Sequence, residues 1–253
     1  MKVASWNVNS IRVRQQHVLD WLAAEQPDVL GLQEIKMPTA EFPAAAFAEA
    51  GYHCEVDGQK TYNGVALLSR IPAEAVHRSM PEFADEQRRV IAGTFAGTRV
   101  INLYVPNGQS VGSDKYAYKL EWLAALRRWL EVELVAHERV IVMGDFNIAP
   151  DDRDVHDPAE WAGKILCSDA ERGALQSLLD LGLSDSFRLF EQPADLFSWW
   201  DYRAAGFRRN RGLRIDLLLV SQTIAAGCKA SRIDTGPRKL ERPSDHAPVI
   251  VEF

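Results

Sequence analysis

The chain has 253 residues, 47% hydrophobic and 25% charged, with a formal charge of −6. That composition is ordinary for a soluble globular protein, weighs against a surface that binds nucleic acid throughout, and contains no apolar run near the ~20 residues that cross a bilayer. The three cysteines, Cys54, Cys167 and Cys228, are odd in number and outside any CxxC motif, which disfavours a disulfide framework or a thiolate zinc site and fits a reducing cytoplasm.

The N-terminus enters a strand at once, with no long apolar segment of a secretory signal. Lys2–Trp6 predicts that strand, which runs into Asn7-Val8-Asn9. A helix is expected over Arg14–Glu25, with Val18, Leu19 and Leu22 on one face and Pro27 past its end. Val29–Gln33 predicts a strand that delivers Glu34. His53–Val56, Gly64–Ser69, Val90–Phe95 and Arg99–Tyr104 follow as strands with no helix between them. The last of these ends in Tyr104-Val105-Pro106-Asn107-Gly108. The longest helix is expected over Asp114–Ala136, capped by Ser113, with Leu120, Leu123, Leu126, Leu130 and Leu134 at helical spacing.

Val140–Met143 is an apolar strand leading into Gly144-Asp145-Phe146-Asn147. Ser168-Asp169-Ala170-Glu171 has capping-box form and opens a helix through Leu175, Leu178 and Leu179 that Gly182 closes. Between Tyr202 and Ile215 stand five arginines and no acid, with Trp199, Trp200, Tyr202 and Phe207 beside or among them, a mixture suited to phosphate contacts and stacking. A strand over Leu213–Val220 carries Asp216, and Ser244-Asp245-His246 precedes a last strand over Ala247–Phe253. No repeat, low-complexity tract or linker interrupts 1–253, so one domain is expected. Strands that follow one another without crossover helices imply mixed sheets. Two such sheets packed face to face and flanked by helices, a four-layer α/β sandwich, would bury the apolar runs.

Five apolar runs therefore carry an acid, amide or imidazole at one end. Each alone is explained by a turn, a surface acid or a core histidine; together they predict one polar cluster at a sheet rim. On an extended backbone i and i+2 share a face, so Asp145 and Asn147, like Asn7 and Asn9, are expected to project together. Carboxylates and amides without clustered histidines or thiolates suit Mg²⁺ or Mn²⁺, with Glu34 as principal ligand and Asn7 in support. His246 has Asp245 beside it and Asp216 available. A carboxylate-held imidazole keeps its proton and can donate to a phosphate oxygen. Tyr104 and Asn107 are placed to do the same. His17, His53, His77, His137 and His156 lack such neighbours. No G-x-S-x-G elbow, P-loop or G-x-G-x-x-G fingerprint is present, which disfavours acyl chemistry and nucleotide cofactors.

Trp6-Asn7-Val8-Asn9-Ser10-Ile11-Arg12, Leu32-Gln33-Glu34-Ile35-Lys36, Tyr104–Gly108, Gly144–Pro150, Arg214-Ile215-Asp216 and Ser244–Pro248 resemble, in order and along essentially the whole chain, the signature blocks of the exonuclease III family of apurinic/apyrimidinic endonucleases. The resemblance implies the αββα, deoxyribonuclease I-like sandwich of the endonuclease/exonuclease/phosphatase superfamily as a single catalytic domain. It also implies a Mg²⁺-dependent phosphodiesterase, with Mn²⁺ as substitute. Its expected substrate is double-stranded DNA with abasic sites or blocked 3′ ends, from which abasic-site endonuclease, 3′→5′ exonuclease or 3′-phosphatase activity leaves a 3′-hydroxyl. A cytoplasmic monomer without membrane contact is expected. By position, the resemblance gathers Asn7, Glu34, Asp145, Asn147, Asp245 and His246 around the metal. Asp145 orients or deprotonates water, Asn147 and His246 bind the scissile phosphate, Asp216 orients His246, and Tyr104 acts near the phosphate or leaving group. Trp199, Leu213 and Ile215 would line a pocket for a flipped-out sugar. Asn9, Arg12, Lys36, Tyr62, Asn63, Arg89, Asn107, Arg203, Arg208, Arg209 and Arg211 would face DNA. Two departures stand out: Trp199 replaces a phenylalanine of some relatives, and the loop Lys164–Ser168 varies on the DNA side. Rival readings are the same fold acting on a phosphoinositide or sphingolipid phosphodiester, and a non-catalytic DNA-binding module. The module would be expected to lack one or more of Glu34, Asp145, Asp216 and His246, all of which are present.

Overall fold

Side chains alternate between the two faces of a strand, and here both faces of most strands are apolar, so each sheet must be covered twice. The computed structural model describes residues 1–253. In chain order it contains β1 (Lys2–Asn7), α1 (Ile11–Glu25), β2 (Val29–Gln33), α2 (Ala44–Glu49), β3 (His53–Asp57), β4 (Val65–Ser69), β5 (Glu74–His77), β6 (Val90–Phe95), β7 (Thr98–Tyr104) and α3 (Asp114–Ala136). There follow β8 (Val140–Asp145), α4 (Pro158–Trp161), α5 (Asp169–Leu179), β9 (Leu183–Asp185), β10 (Trp199–Trp200), β11 (Gly212–Leu213), β12 (Asp216–Ser221), α6 (Gln222–Gly227), β13 (Ala230–Ile233) and β14 (Val249–Glu252).

Two six-stranded sheets result, in the orders β13-β14-β1-β2-β4-β3 and β5-β6-β7-β8-β12-β9. Each has one parallel pair, β1–β2 and β7–β8, whose connection contains a helix, α1 and α3 respectively. All other pairings are antiparallel, so both sheets are mixed. Val3, Val29, Val65, Leu67, Ile141, Met143, Leu218 and Val251 form the core between the sheets. Their alternates pack outward: Trp6, Leu30, Leu32 and Leu68 against Val18 and Leu22 of α1; Ile101, Leu103, Val142 and Leu219 against Leu123, Leu126 and Leu130 of α3 and Leu175 and Leu178 of α5. The expected four-layer sandwich is what forms. No helix is long and apolar enough to cross a membrane.

Two expectations need correction, and three short strands were not foreseen. The single strand over Leu213–Val220 is two, β11 and β12. Leu213 pairs with Trp199, while the amides of Ile215 and Asp216 both donate to Ser198 Oγ at 3.0 Å, breaking the ladder between them. Helix α1 begins at Ile11, three residues early, because the Ser10 and Ile11 amides find the Glu34 and Ile35 carbonyls at 2.8 and 3.2 Å and need no side-chain cap. The strands β5, β9 and β13, three or four residues long and at or near sheet edges, carried too little pattern to be foreseen.

Candidate active site

The two sheets bring their polar ends to one rim. In β1, Val3, Ser5 and Asn7 share the inner face; in β8, Ile141, Met143 and Asp145 do; in β12, Asp216 lies in line with Leu218 and Val220. Asp216 is the cross-strand partner of Asp145. Gly144 is required at this junction. Its φ is +147°, and a Cβ there would come within 1.9 Å of the Leu103 carbonyl oxygen on the neighbouring parallel strand.

Asp145 and Asn147 do converge, but not by strand alternation. Asn147 has φ +49°, and its amide donates to Asp145 Oδ1 at 2.9 Å. Asn9 repeats the device, with φ +43° and an amide donating to Asn7 Oδ1 at 3.0 Å. Side-chain-closed turns just past the strand ends, tolerated by asparagine in the left-handed region, place these pairs. Glu34 (φ +49°) and Lys36 (φ +53°) are also left-handed. Such conformations cluster where the surrounding structure over-determines them.

A chain of hydrogen bonds and one ion-pair contact crosses the rim. The Asn7 amide nitrogen donates to Glu34 Oε1 at 3.0 Å and to Asp145 Oδ2 at 2.9 Å. Asp145 Oδ2 is 3.6 Å from His246 Nε2, and His246 Nδ1 faces Asp216 Oδ2 at 2.9 Å. Asp145, Asp216 and His246 are almost wholly buried. Burial pushes the Asp145 carboxyl up, and Asp216 and Glu34 add to that, leaving it at about 7 despite the opposing His246. For His246, burial lowers the pKa, but the Asp216 and Asp145 carboxylates outweigh it and hold the imidazole at about 10. Burial also raises Glu34, yet Lys36, 2.7 Å from Oε2, and the Asn7 amide bring it below the usual carboxylate range. Tyr104 is driven well above the usual phenol value by burial and by Glu34 and Asp145, so it stays protonated and keeps a hydrogen to donate.

Ligand atoms of Glu34, Asp145 and His246 lie within 4.8 Å of one another. As an imidazolium, protonated on Nε2 as well as on the Nδ1 that faces Asp216, His246 has no lone pair to offer. The oxygen atoms of Glu34 and Asp145 are the better ligands, and two hard oxygens with room for water suit a magnesium-like ion. Asp245 sits to one side, taking the Asn9 amide at 2.9 Å and the Trp199 indole at 3.0 Å. On the other side Asn107 donates to Asn147 Oδ1 at 3.0 Å, and Asn147 donates to the Val105 carbonyl at 3.0 Å.

The remaining expected residues divide. Tyr62, Asn63, Arg89 and Asn107 line one groove of about 730 Å³ that adjoins Asn147. Lys36 lies inside the cluster, bonded to Glu34 and to Asn9 Oδ1 at 2.6 Å. Arg12, Arg203 and Arg211 are exposed and paired with Glu41, Asp201 and Glu160, while Arg208 and Arg209 are exposed without an ion pair. Leu213 and Ile215 are buried with Leu166 and Cys167, and Trp199 packs against them. The loop Lys164–Ser168, with Leu166 at φ +70°, thus lies against the residues expected to line a sugar pocket. Sequence reading passed over Ser198, which fixes the start of β12, and Arg14, whose guanidinium ties the Asn9 and Pro243 carbonyls together. Neither carries a local motif; only their partners, far away in sequence, reveal them.

The model of the Endonuclease/Exonuclease/phosphatase family matches residues 4–246. Exodeoxyribonuclease III of Haemophilus influenzae is 40% identical over 266 residues, covering all of both chains. A solved structure described as the 3′ phosphatase NExo from Neisseria bound to a product DNA hairpin superposes with a TM-score of 0.98 at 50% identity, over 100% of this chain and 99% of that one. An AP endonuclease from Archaeoglobus fulgidus gives a TM-score of 0.96 at 36% identity, with the same coverage.

Proposed function

The chain belongs to the endonuclease/exonuclease/phosphatase family, and from that premise we propose that it is a metal-dependent DNA-repair nuclease that clears blocked 3′ ends of double-stranded DNA and leaves a 3′-hydroxyl. The observation that carries this reading is the run of polar contacts Glu34–Asn7–Asp145–His246–Asp216, hydrogen bonds except for the 3.6 Å ion pair between Asp145 and His246, at the rim between the sheets. Mg²⁺, with Mn²⁺ as substitute, is the proposed cofactor, held by Glu34 and Asp145 with Asn7 and Asp245 in support. Bound there it neutralises charge on the phosphate.

The protein's own groups do the rest. Asp145, as carboxylate, accepts a proton from the attacking water and orients it in line with the phosphorus. Deprotonated Asp145 is supported by the Asn7 amide and by the His246 imidazolium 3.6 Å away. His246 donates from Nε2 to a phosphate oxygen, with Asp216 on Nδ1 fixing the ring and its charge. Asn147, fixed by Asn107 and by the Val105 carbonyl, presents its amide to the same phosphate. Protonated Tyr104 donates near the leaving oxygen. Arg208 and Arg209, exposed and unpaired, and the Tyr62–Arg89–Asn107 groove are proposed to take the DNA backbone on either side.

Removal of 3′ groups takes precedence over abasic-site incision in this reading. Leu166 and Cys167 close over Leu213 and Ile215, where a flipped-out sugar would lodge, and the relative at 50% identity is described as a 3′ phosphatase. The enzyme is proposed to act as a cytoplasmic monomer whose residues 1–253 form one catalytic domain. A panel of nicked duplex bearing a 3′-phosphate, duplex with an abasic site, recessed duplex and inositol phosphates tests the assignment. Mg²⁺-dependent turnover fastest on the 3′-phosphate is expected. Turnover confined to inositol phosphates overturns it.

A further inference from the structure

Lysine is almost never fully buried unless paired, yet Lys119 lies on the core face of α3, one turn before Leu123, and is wholly inaccessible. Its ammonium has three hydrogens and three acceptors: Glu171 Oε1 at 2.5 Å, the Asn147 carbonyl at 2.7 Å and the Asn107 carbonyl at 3.2 Å. Glu171 is buried as completely and is bound in turn by the Leu166 and Ser168 amides, both at 3.1 Å, and by the Ser168 hydroxyl at 2.6 Å. One ion pair therefore holds three separate loops: the turn after β7, the turn after β8, and the loop that precedes α5. The two residues whose backbones it grips, Asn107 and Asn147, are also joined through their side chains at 3.0 Å.

We propose that Lys119 and Glu171 are a positioning pair for phosphate hydrolysis, setting the height of the Asn107–Asn147 amides relative to Asp145. The inference rests on the functional reading above. An apolar pair of similar volume would fill this space without the cost of desolvating two ions, so stability alone does not call for the charges. The need they meet is geometric. The ammonium fixes two carbonyls from opposite turns at a shared point, and an aliphatic side chain cannot. An ångström of slack in a group that contacts the reacting phosphate costs on the order of 10²-fold in rate. DNA affinity draws mainly on contacts the pair does not touch, Tyr62, Arg89, Arg208 and Arg209, and so changes less than the rate.

The test compares wild type with the double variant Lys119→Met/Glu171→Gln, which removes both charges and keeps one acceptor oxygen for Ser168, while the Leu166 amide loses its partner. Steady-state release of phosphate from 3′-phosphate duplex is measured with saturating Mg²⁺, normalised to the folded fraction from a thermal melt. The expected result is a kcat at least about tenfold lower, with KM for DNA within about threefold. A kcat per folded molecule equal to wild type overturns the proposal. Should the double variant not fold, Lys119→Arg is measured in its place. Its longer planar head keeps the charge pair but cannot hold both carbonyls at the lysine distances, and the same kcat loss is expected; an unchanged kcat again overturns the proposal. Wild type inactive on every 3′ end would refute the functional reading itself, an outcome distinct from active variants.

Discussion

Asp145 meets two conflicting demands. As a base or a cation ligand it must be ionised, yet burial and the neighbouring Asp216 and Glu34 hold its carboxyl up at about 7. A carboxyl raised in the folded state favours folding while protonated. That contribution is complete below the unfolded value near 4 and is lost as pH rises through about 7. Asparagine at this position carries no such dependence. In EDTA, wild type is therefore expected to lose melting temperature relative to Asp145→Asn between pH 5 and pH 8. Parallel curves across that interval would show that Asp145 is already ionised in the free protein. His246 does not disturb the lower part of this comparison. Its imidazole is held up at about 10, so its stabilising share is complete below the unfolded value near 6.5 and the difference between the two proteins below that pH belongs to Asp145; above it the His246 share is lost progressively as pH rises toward 10.

At the scale of elements, the site is a property of strand ends and of the turns that follow them. Gly144 shows how closely the two are coupled, because β7 and β8 approach so tightly that a single methyl would meet the Leu103 carbonyl. Gly144→Ala is expected to cost about 3 kcal/mol or more from the forbidden φ together with the clash, measured by denaturant unfolding; a loss below about 1 kcal/mol would mean that the strands separate easily here. Element positions were largely legible in the sequence. Asp114–Ala136 is found as read, because Ser113 caps it and its leucines keep one face. The turn geometry was not legible. The i and i+2 spacing named the right pairs, Asp145 with Asn147 and Asn7 with Asn9, for the wrong reason, since left-handed asparagines and side-chain-closed turns bring them together. The break before Asp216 was equally hidden, because its cause, the Ser198 hydroxyl, lies 17 and 18 residues upstream of the amides it holds.

Across the whole molecule, two sheets with similar wiring each bring one parallel pair to the rim, and the proposed catalytic groups come from both: Asn7 and Glu34 from one, Tyr104, Asp145 and Asp216 from the other. Packing the sheets face to face is thus also what assembles the site, and the cluster legible as five scattered run ends becomes one network only through that packing. Outside that core, the loop before α5 packs Leu166 and Cys167 against Leu213 and Ile215, a contact no local pattern announces. The central claim is that Glu34 and Asp145 hold a divalent ion beside His246 for hydrolysis at DNA 3′ ends. It is tested most directly by titrating free Mg²⁺ against 3′-phosphate release for wild type and Glu34→Gln. The account predicts no wild-type activity in EDTA and a half-saturating Mg²⁺ concentration raised about tenfold or more in Glu34→Gln. Activity that survives EDTA, or identical Mg²⁺ curves for the two proteins, would contradict it.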